Sequence, residues 1–216
     1  MSKIGLITLG CAKNQTDSEV MLSLIKQKGY EIVSNEEEAD VVIINTCAFI
    51  ESAKEEALEV IFEAVNLKKQ GILKGIIVCG CLPQRYDTEI KTELYEVDAF
   101  LGTGSYQKII EALEAVLNNR PYVDFSDINI SMNEGERVLL NDSFYAYLKV
   151  SEGCDNCCSY CVIPLVRGRF RSRKFEDIIK EAKELAKNGV KEINVIAQDT
   201  TRYGMDIYGE EKLCEL

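Results

Sequence analysis

The 216-residue sequence contains no histidine, and this absence removes several kinds of chemistry at once. Ser-His-Asp and Cys-His catalysis both need an imidazole, so neither can operate here. Positive charge is also scarce, because 25 Lys and Arg stand against 36 Asp and Glu and leave a net charge of −11. A nucleic-acid-binding chain normally has a basic surface, so this balance argues against one. The sequence also lacks any apolar run near the roughly 18 residues that a membrane helix needs, which argues against a membrane partner.

Cysteine, by contrast, is abundant, with nine residues. The N-terminus enters a strand pattern at once, without a secretory signal, so we expect a cytoplasmic protein. In that reducing compartment, thiols more often bind metals or take part in catalysis than form disulfides. The cysteines are therefore the main candidates for functional residues.

Four cysteines lie within one eight-residue stretch of the chain. Among them, Cys154, Cys158 and Cys161 have the spacing C-x3-C-x2-C. Three thiolates of one loop can each bind one iron of a 4Fe-4S cluster, which would leave the fourth iron open. A zinc site is an alternative, and the pair Cys154/Cys157 could begin one. A disulfide between the adjacent Cys157 and Cys158 would need strained geometry. On spacing, we favour an iron-sulfur cluster over zinc.

Strand and helix patterns alternate along the first 120 residues. We predict strands over 3–9, 30–33, 39–45, 75–80 and 97–101. We predict helices from Thr16 or Asp17 to 28, and over 51–70, 88–94 and 106–118, with a polar loop over 10–15. The alternation predicts an α/β domain with a doubly wound parallel sheet and right-handed crossovers.

Three further cysteines recur at about one strand-helix period. Cys11, Cys47 and Cys81 lie 36 and 34 residues apart, each just beyond the carboxyl end of a predicted strand. Open α/β sheets bind ligands at that edge, so we expect the three thiols to converge and to hold a second 4Fe-4S cluster. The alternative is that each is a small buried apolar residue, which free cysteine often is. For Cys79, which lies within a strand, we accept that alternative.

The remainder of the chain predicts a second domain. We assign 1–120 to the N-terminal cluster-binding domain, 121–143 to a linker with room for one strand, and 144–216 to the second domain. A strand over 144–150 delivers the cysteine loop, followed by a helix over 175–188 and a strand over 190–197, which start but do not close a βα barrel. Five cations between Arg167 and Lys174 are either a solvated, acid-paired surface or an anion contact beside the site.

Several motifs resemble one known family. The C-x3-C-x2-C spacing with Tyr160 before the last cysteine resembles the radical S-adenosylmethionine (SAM) superfamily. The surrounding residues narrow the resemblance to the methylthiotransferases; they are Lys149–Cys154, Ile163-Pro164, Arg167-Gly168 and Arg171–Arg173. The segments 10–20, 47–54 and 97–104 are similar to those of the ribosomal-protein aspartate methylthiotransferases, and read differently from the tRNA-modifying relatives.

The resemblance implies a set of cofactors and ligands. It implies two 4Fe-4S clusters and SAM, with Tyr160 packed against the adenine. The implied metal ligands are Cys11, Cys47, Cys81, Cys154, Cys158 and Cys161, and Cys157 is left out. The cluster of the second domain would bind SAM and yield a radical that takes a hydrogen from the substrate, and the first cluster would deliver a methylated sulfur. The clusters would carry the chemistry, so no catalytic side chain is predicted.

The function implied is transfer of a methylthio group to the β-carbon of an aspartate on a small-subunit ribosomal protein, protein twelve. Its partners would be the small ribosomal subunit, with ribosomal RNA nearby, and an electron donor such as a flavodoxin-type protein. The alternatives are methylthiolation of a tRNA adenosine and a non-enzymatic electron-transfer or zinc-binding module. The family has about six βα units in its barrel and a small C-terminal domain. We therefore expect this chain to be truncated, to have a loose second domain and to be inactive alone.

Overall fold

A six-stranded parallel sheet forms the core of the N-terminal half. The computed structural model describes residues 1–130, 136–140 and 144–216. The strands of the sheet are β1 (Lys3–Thr8), β2 (Glu31–Val33), β3 (Val41–Thr46), β4 (Gly75–Gly80), β5 (Ala99–Leu101) and β6 (Tyr122–Asp124). Their order is β2-β1-β3-β4-β5-β6, with every neighbouring pair parallel. The predicted doubly wound parallel sheet is confirmed.

Helices cover both faces of this sheet. They are α1 (Ala12–Gln27), α2 (Glu51–Lys69), α3 (Cys81–Arg85), α4 (Ile90–Glu93) and α5 (Ile109–Leu117). Met21 of α1 and Leu113 of α5 belong to one buried cluster, and Ile61 of α2 and Leu82 of α3 belong to the other. The central strands β3 and β4 are buried along their whole length, which explains their continuous apolar sequence.

The N-terminal helix begins earlier than its sequence predicts. We predicted a polar loop over 10–15, whereas α1 starts at Ala12, directly after its N-cap Cys11. Lys13, Asn14 and Asp17 are polar but buried, because residues of the second half of the chain pack on them. Tertiary contacts therefore decide where this helix begins.

Two other predicted segments differ from the structure. The helix predicted over 88–94 is reduced to the short α4, and α3 is an additional helix immediately after β4. The helix predicted over 106–118 starts as a 3-10 turn, Tyr106–Lys108, and continues as α5. The linker was predicted to have room for one strand, and that strand is β6. It pairs with β5 and extends the sheet to Asp124.

The second half contains the start of a βα arrangement, as predicted. Its elements are β7 (Tyr145–Lys149), β8 (Ser151–Glu152), α6 (Ile163–Arg167), β9 (Arg171–Ser172), α7 (Phe175–Lys187) and β10 (Glu192–Ile196). Strands β7 and β10 are parallel, and β8 and β9 form a short antiparallel pair. This half has a buried apolar cluster of its own, which includes Leu148, Ile178 and Leu185. Residues 208–216 form turns and bends. No helix of the described residues is long and apolar enough to span a bilayer.

Candidate functional site

Cys11, Cys47 and Cys81 each follow the carboxyl end of a strand of the main sheet. Cys11 caps α1 beyond β1, Cys47 comes directly after β3, and Cys81 is the first residue of α3, directly after β4. Because β1, β3 and β4 are neighbours in a parallel sheet, these ends share one edge. The chain turns from β1 towards β2 and from β3 towards β4. The first two cysteines therefore flank the topological switch point, where open α/β sheets bind ligands.

The three cysteines line one cavity of about 500 Å³. Phe49 and Ile50, which follow Cys47, add apolar surface to it. The second half of the chain completes the lining, with Ile163, Val166 and Arg167 from α6 and Ile196, Ala197 and Gln198 from the end of β10. The structure therefore brings the three thiols to one site that faces the second cysteine loop's domain. Their role as metal ligands remains a prediction.

Gly10 allows the first two cysteine loops to approach each other. Its backbone has φ +95°, and a Cβ added there would lie 2.5 Å from the Cβ of Cys47 and 3.2 Å from its Sγ. A side chain at this position would collide with the Cys47 loop and would also be strained at positive φ. The glycine before Cys11 is thus required by the close packing of the two loops.

Buried amides hold the same loops in place. Asn14 donates from Nδ2 to the backbone oxygen of Thr46 at 2.8 Å. Asn45 donates from Nδ2 to the backbone oxygen of Asn14 and to Oγ of Ser18, both at 2.9 Å. The Thr46 hydroxyl donates to the backbone oxygen of Cys79 at 2.7 Å. These bonds tie the start of α1 to the ends of β3 and β4, so the loops that carry the cysteines are fixed relative to one another.

The Cys81 thiol of this cavity is set in an environment that favours its protonated form. Burial raises the pKa of Cys81 to about 11, although the Arg167 guanidinium, which hydrogen-bonds the thiol, acts to lower it. Burial also raises the pKa of Cys79, which lies within β4 and packs against Met21 as an apolar core residue. Metal binding at Cys81 would have to release a proton, because thiolates rather than thiols ligate metals.

The second cysteine loop lies on the surface of the protein. Cys154 and Cys161 are partly exposed and Cys158 is exposed, as is Cys157, which has a positive φ of 50°. Tyr160 is 88% exposed. Cys157, which the resemblance leaves out, is therefore as accessible as its neighbours. The four thiols also form two C-x2-C pairs, which is the ligand spacing of many zinc sites. Zinc binding is therefore an alternative that metal analysis can test.

Backbone contacts fix the base of this loop. Cys154 donates from its backbone nitrogen to the Gly168 oxygen at 3.1 Å, and Phe170 donates to Oδ1 of Asp155 at 3.2 Å. Gly153 has φ +77°, and a Cβ there would lie 2.0 Å from the Arg169 oxygen. The loop thus leaves β8 through a turn that only glycine can make, and packs against the chain after α6.

The two cysteine loops provide thiol donors whose arrangement suits some metal centres and not others. Within residues 1–130, 136–140 and 144–216, no group of three Cys, Asp or Glu side chains stands ready to hold a single metal ion. A 4Fe-4S cluster makes a different demand, because each thiolate binds its own iron and the sulfurs need not converge on one point. Three thiols around one cavity and three in one exposed loop fit that demand.

A buried ion network joins the two cysteine sites. Arg167 of α6 donates from Nη1 to Oδ2 of Asp17 at 2.6 Å and from Nη2 to Oδ1 of Asn14 at 2.7 Å. Lys149 at the end of β7 pairs with Asp17 at 2.8 Å and with Glu152 at 3.1 Å. All of these side chains are buried. The network therefore connects α1, whose N-cap is Cys11, with the strand that leads into Cys154.

The network also sets the charge state of its acids. Burial acts to raise the pKa of Glu152, but attraction to Lys149 and Arg167 outweighs it and holds that pKa well below its usual range. Lys13, whose Nζ donates to the Ser151 oxygen at 3.1 Å, has its pKa lowered to about 8 by burial, against the pull of Glu152. An unpaired charge would be far less stable at such a position.

Two of the five cations after the cysteine loop, Arg167 and Arg173, take part in internal ion pairs. Arg167 and Arg173 are buried, and Arg173 donates to the Lys149 oxygen at 2.6 Å and pairs with Glu181. Arg171 donates to the oxygens of Arg167 and Arg169. Of the two readings that the sequence left open, the acid-paired one fits Arg167 and Arg173, although their environment is buried and not solvated.

Two separate stretches of the chain match known protein families. Residues 3–102 match the family described as "Uncharacterized protein family UPF0004", and residues 148–216 match the radical SAM superfamily. The chain is 54% identical over 217 aligned residues to the ribosomal protein uS12 methylthiotransferase RimO of Clostridioides difficile. It is 51% identical, again over 217 residues, to the protein of that name from a Thermoanaerobacter species. These alignments include 100% of this chain but 49% and 50% of the relatives, so the chain spans about half the length of the curated relatives it matches.

One solved structure shares the fold at low sequence identity. The cobalamin-dependent SAM radical enzyme OxsB matches with a TM-score of 0.51 and 13% identity, over 93% of this chain and 34% of that one. The α/β fold is thus shared with a radical SAM enzyme, and the cysteine loop after β8 lies within the stretch that matches the radical SAM superfamily. The chain is therefore similar over its whole length to proteins named as ribosomal protein uS12 methylthiotransferases, with a region of the UPF0004 type at 3–102 and a region of the radical SAM type at 148–216.

Proposed function

We propose that this chain provides the two cluster-binding sites of a radical SAM methylthiotransferase that modifies a ribosomal protein of the small subunit. The observation that carries the proposal is the pairing of two cysteine triads in two regions, with the first triad lining a cavity that the second region closes. The relatives named above as uS12 methylthiotransferases support a ribosomal protein as the substrate class. We propose the β-carbon of an aspartate as the atom modified.

The residues would hold the cofactors as follows. Cys11, Cys47 and Cys81 would ligate one 4Fe-4S cluster, and the loop triad Cys154, Cys158 and Cys161 would ligate the other. Radical SAM family membership implies SAM and an iron-sulfur cluster, and together these supply the radical and sulfur-transfer chemistry when bound. Tyr160 would flank the SAM site. The protein's own contribution is to fix the ligands, exclude water and balance charge.

The surroundings of the first triad suit that contribution. Phe49, Ile50 and Ile196 give the cavity an apolar lining, which limits the access of water to the thiols. Arg167 places a positive charge against Cys81, where three thiolates would otherwise accumulate negative charge. Hydrogen bonds and charges of this kind around the ligands are the means by which proteins tune metal sites.

The proposal includes a division of the chain into a cluster-binding domain over 1–120, a linker over 121–143 and a radical SAM domain over 144–216. It also includes a cytoplasmic location and a flavodoxin-type electron donor. Methylthiolation of a tRNA adenosine is not proposed. Two of the five cations that favoured it, Arg167 and Arg173, are committed to internal ion pairs, and the overall charge is −11.

Iron and sulfide quantification on anaerobically reconstituted protein tests the proposal. A Cys154→Ala/Cys158→Ala/Cys161→Ala variant should keep about half of the iron, because each triad would hold one cluster of the same type. The complementary Cys11→Ala/Cys47→Ala/Cys81→Ala variant should keep the other half. Loss of all iron from either variant, or of none, would contradict two independent sites. Zinc in place of iron would support the non-enzymatic alternative.

A further inference from the structure

An apolar groove with an acidic rim lies beside the cysteine cavity on the α2 side of the sheet. Its volume is about 380 Å³, enough for a few side chains of a partner but not for a folded domain. It runs between α2 on one side and α3 and α4 on the other. The apolar side chains that line it are Leu58, Phe62, Leu82, Tyr86, Ile90 and Leu94.

The groove is open to solvent on an apolar surface. Phe62 is 50% exposed, although it lies in the middle of a helix whose opposite face is fully buried. Single exposed apolar residues are common, but here Phe62 lies over a lining formed by Leu82, Ile90 and Leu94. Leu82, Ile90 and Leu94 are each only 4% exposed, so the accessible apolar surface of the groove consists mainly of Phe62 with the half-buried Leu58 and Tyr86. Apolar surface rimmed by polar residues is typical of interaction sites.

The rim carries a strong excess of negative charge. Glu51, Glu55, Glu89 and Glu93 line the groove with a single cation, Lys54, so its formal net charge is −3. Lys54 is itself paired with Glu51. Among the residues that the structure describes, Glu55, Glu89 and Glu93 have no ion-pair partner, and all three are exposed.

The groove and the cysteine cavity are adjacent. Ile50 and Ala53 line the cavity, whereas Glu51 and Lys54 of the same helical turn line the groove. Leu82 of the groove directly follows Cys81. Arg85 donates to the Ala48 oxygen at 2.6 Å and so ties α3 to the loop after Cys47. A segment bound in the groove would therefore lie next to the proposed site of chemistry.

We propose that this groove binds a basic, amphipathic segment of the ribosomal-protein substrate. Ribosomal proteins contact RNA and therefore carry basic segments, which complement three unpaired glutamates around an apolar floor. RNA and anionic membranes would be repelled by the same rim. A second copy of this chain, with a net charge of −11, is disfavoured for the same reason. The identity of the partner rests on the proposed function, whereas the chemistry of the segment rests on the groove alone.

Binding of a peptide to the groove can be measured on protein that carries no iron-sulfur cluster. The probe is a fluorescein-labelled synthetic peptide with Lys and Leu at helical spacing, titrated with the metal-free chain and followed by anisotropy. The groove variant is Glu55→Lys/Glu89→Lys/Glu93→Lys. The matched control is Glu31→Lys/Glu37→Lys/Glu38→Lys, which makes the same change in net charge at exposed glutamates near the amino ends of β2 and β3.

We expect the groove variant to bind the peptide at least about tenfold more weakly, because each reversal replaces an attraction with a repulsion. The control should lose less than about threefold. Binding to the unaltered chain should weaken as salt is added, since exposed charges are screened. Phe62→Ser, which leaves the charge unchanged, should weaken binding several-fold. Circular dichroism of every variant establishes that each is folded.

Equal losses in the groove and control variants, or none in Phe62→Ser, would overturn the groove as the binding site. The isolated small ribosomal subunit then serves as the second probe, by co-sedimentation with the same variants. Binding of the subunit that the groove variant loses, Phe62→Ser weakens and the control variant keeps supports the assignment in full. Peptide binding in the groove without subunit binding would leave the groove standing and overturn the ribosomal protein as its partner. Iron quantification on the cysteine variants tests the clusters separately. A failure of the proposed function can therefore be distinguished from a failure of the proposed groove.

Discussion

Arg167 and Asp17 lie 150 positions apart in the sequence, and the guanidinium Nη1 of one is 2.6 Å from the carboxylate Oδ2 of the other. This contact joins α6, next to the second cysteine loop, to α1, which begins at the first cysteine. Both side chains are buried, and Lys149 and Asn14 complete their hydrogen bonding. The relative position of the two cysteine sites therefore depends on a charged contact that is shielded from solvent.

Arg167→Met should destabilise the metal-free protein by about 3–5 kcal/mol, since removing one partner of a buried ion pair leaves an uncompensated charge. Asp17 would keep Lys149 as its close cation, and Glu152 would keep Lys149 and the more distant Lys13. Arg169→Met is the matched control, because Arg169 is exposed, and should change stability by less than about 0.5 kcal/mol. Urea unfolding followed by circular dichroism measures both, and a similar midpoint for the two variants would refute the role given to the network.

Asp124→Asn should remove a pH-dependent part of the stability. Burial acts to raise the pKa of Asp124, but hydrogen bonds from Lys108, Ser105 and Ser126 outweigh it and lower that pKa to about 2. Because the folded pKa lies below the unfolded one, the stabilisation is complete above about pH 4 and is lost as the pH falls towards 2. Its size is at most about 2 kcal/mol.

Unfolding midpoints of the native chain and of Asp124→Asn should therefore differ at pH 6 and converge near pH 2. The exposed Asp87 provides the control substitution, Asp87→Asn, which should show no such difference. A constant gap at every pH would mean that the asparagine acts through packing and not through its lost charge.

Gly10→Ala should disturb the first cysteine site specifically. The added methyl group would collide with Cys47, and the positive φ adds strain, so we expect a loss of about 2–4 kcal/mol. Gly71→Ala is the control, since Gly71 has φ +78° with nothing within 4 Å of an added Cβ. It should lose only about 1–2 kcal/mol from backbone strain. Iron incorporation should fall for Gly10→Ala and stay unchanged for Gly71→Ala. Equal iron contents would show that the Gly10 contact does not shape the site.

Cys157→Ala separates the iron-sulfur site from the zinc alternative. A cluster held by Cys154, Cys158 and Cys161 does not use Cys157, so iron and sulfide contents should be unchanged. A four-thiolate zinc site built from two C-x2-C pairs would use it, and bound metal would then fall sharply. Metal analysis after anaerobic reconstitution, with Cys214→Ala as the control at another exposed thiol, distinguishes the two.

The sequence predicts the sheet and the meeting of three cysteines because both depend on local patterns. Continuous apolar runs mark β3 and β4, and in a parallel sheet residues just beyond neighbouring strands must share an edge. The meeting of Cys11, Cys47 and Cys81 at one edge of the sheet can be predicted from those two facts. The placement of Cys79 in the core follows in the same way, from its position within β4.

The ion network could not be predicted, since its partners are separated by up to 150 residues and charge leaves no periodic signal. A run of arginines has the same appearance in a sequence whether it faces solvent, a ligand or a buried acid. The early start of α1 is missed for the same reason. Lys13 and Asn14 are typical of a polar loop until the second half of the chain covers them. The acidic groove likewise depends on the placement of α4 beside α2.

The pairing of Asp17 with Arg167 has an evolutionary consequence for the two halves of the chain. A change of charge at one position would be tolerated only with a compensating change at the other, so the halves are expected to diverge together. A chimera that joins the N-terminal half of one relative to the second half of another would inherit a mismatched set of buried charges unless these positions were exchanged with it. Recombination between relatives should therefore succeed only where both sides of this contact come from the same parent.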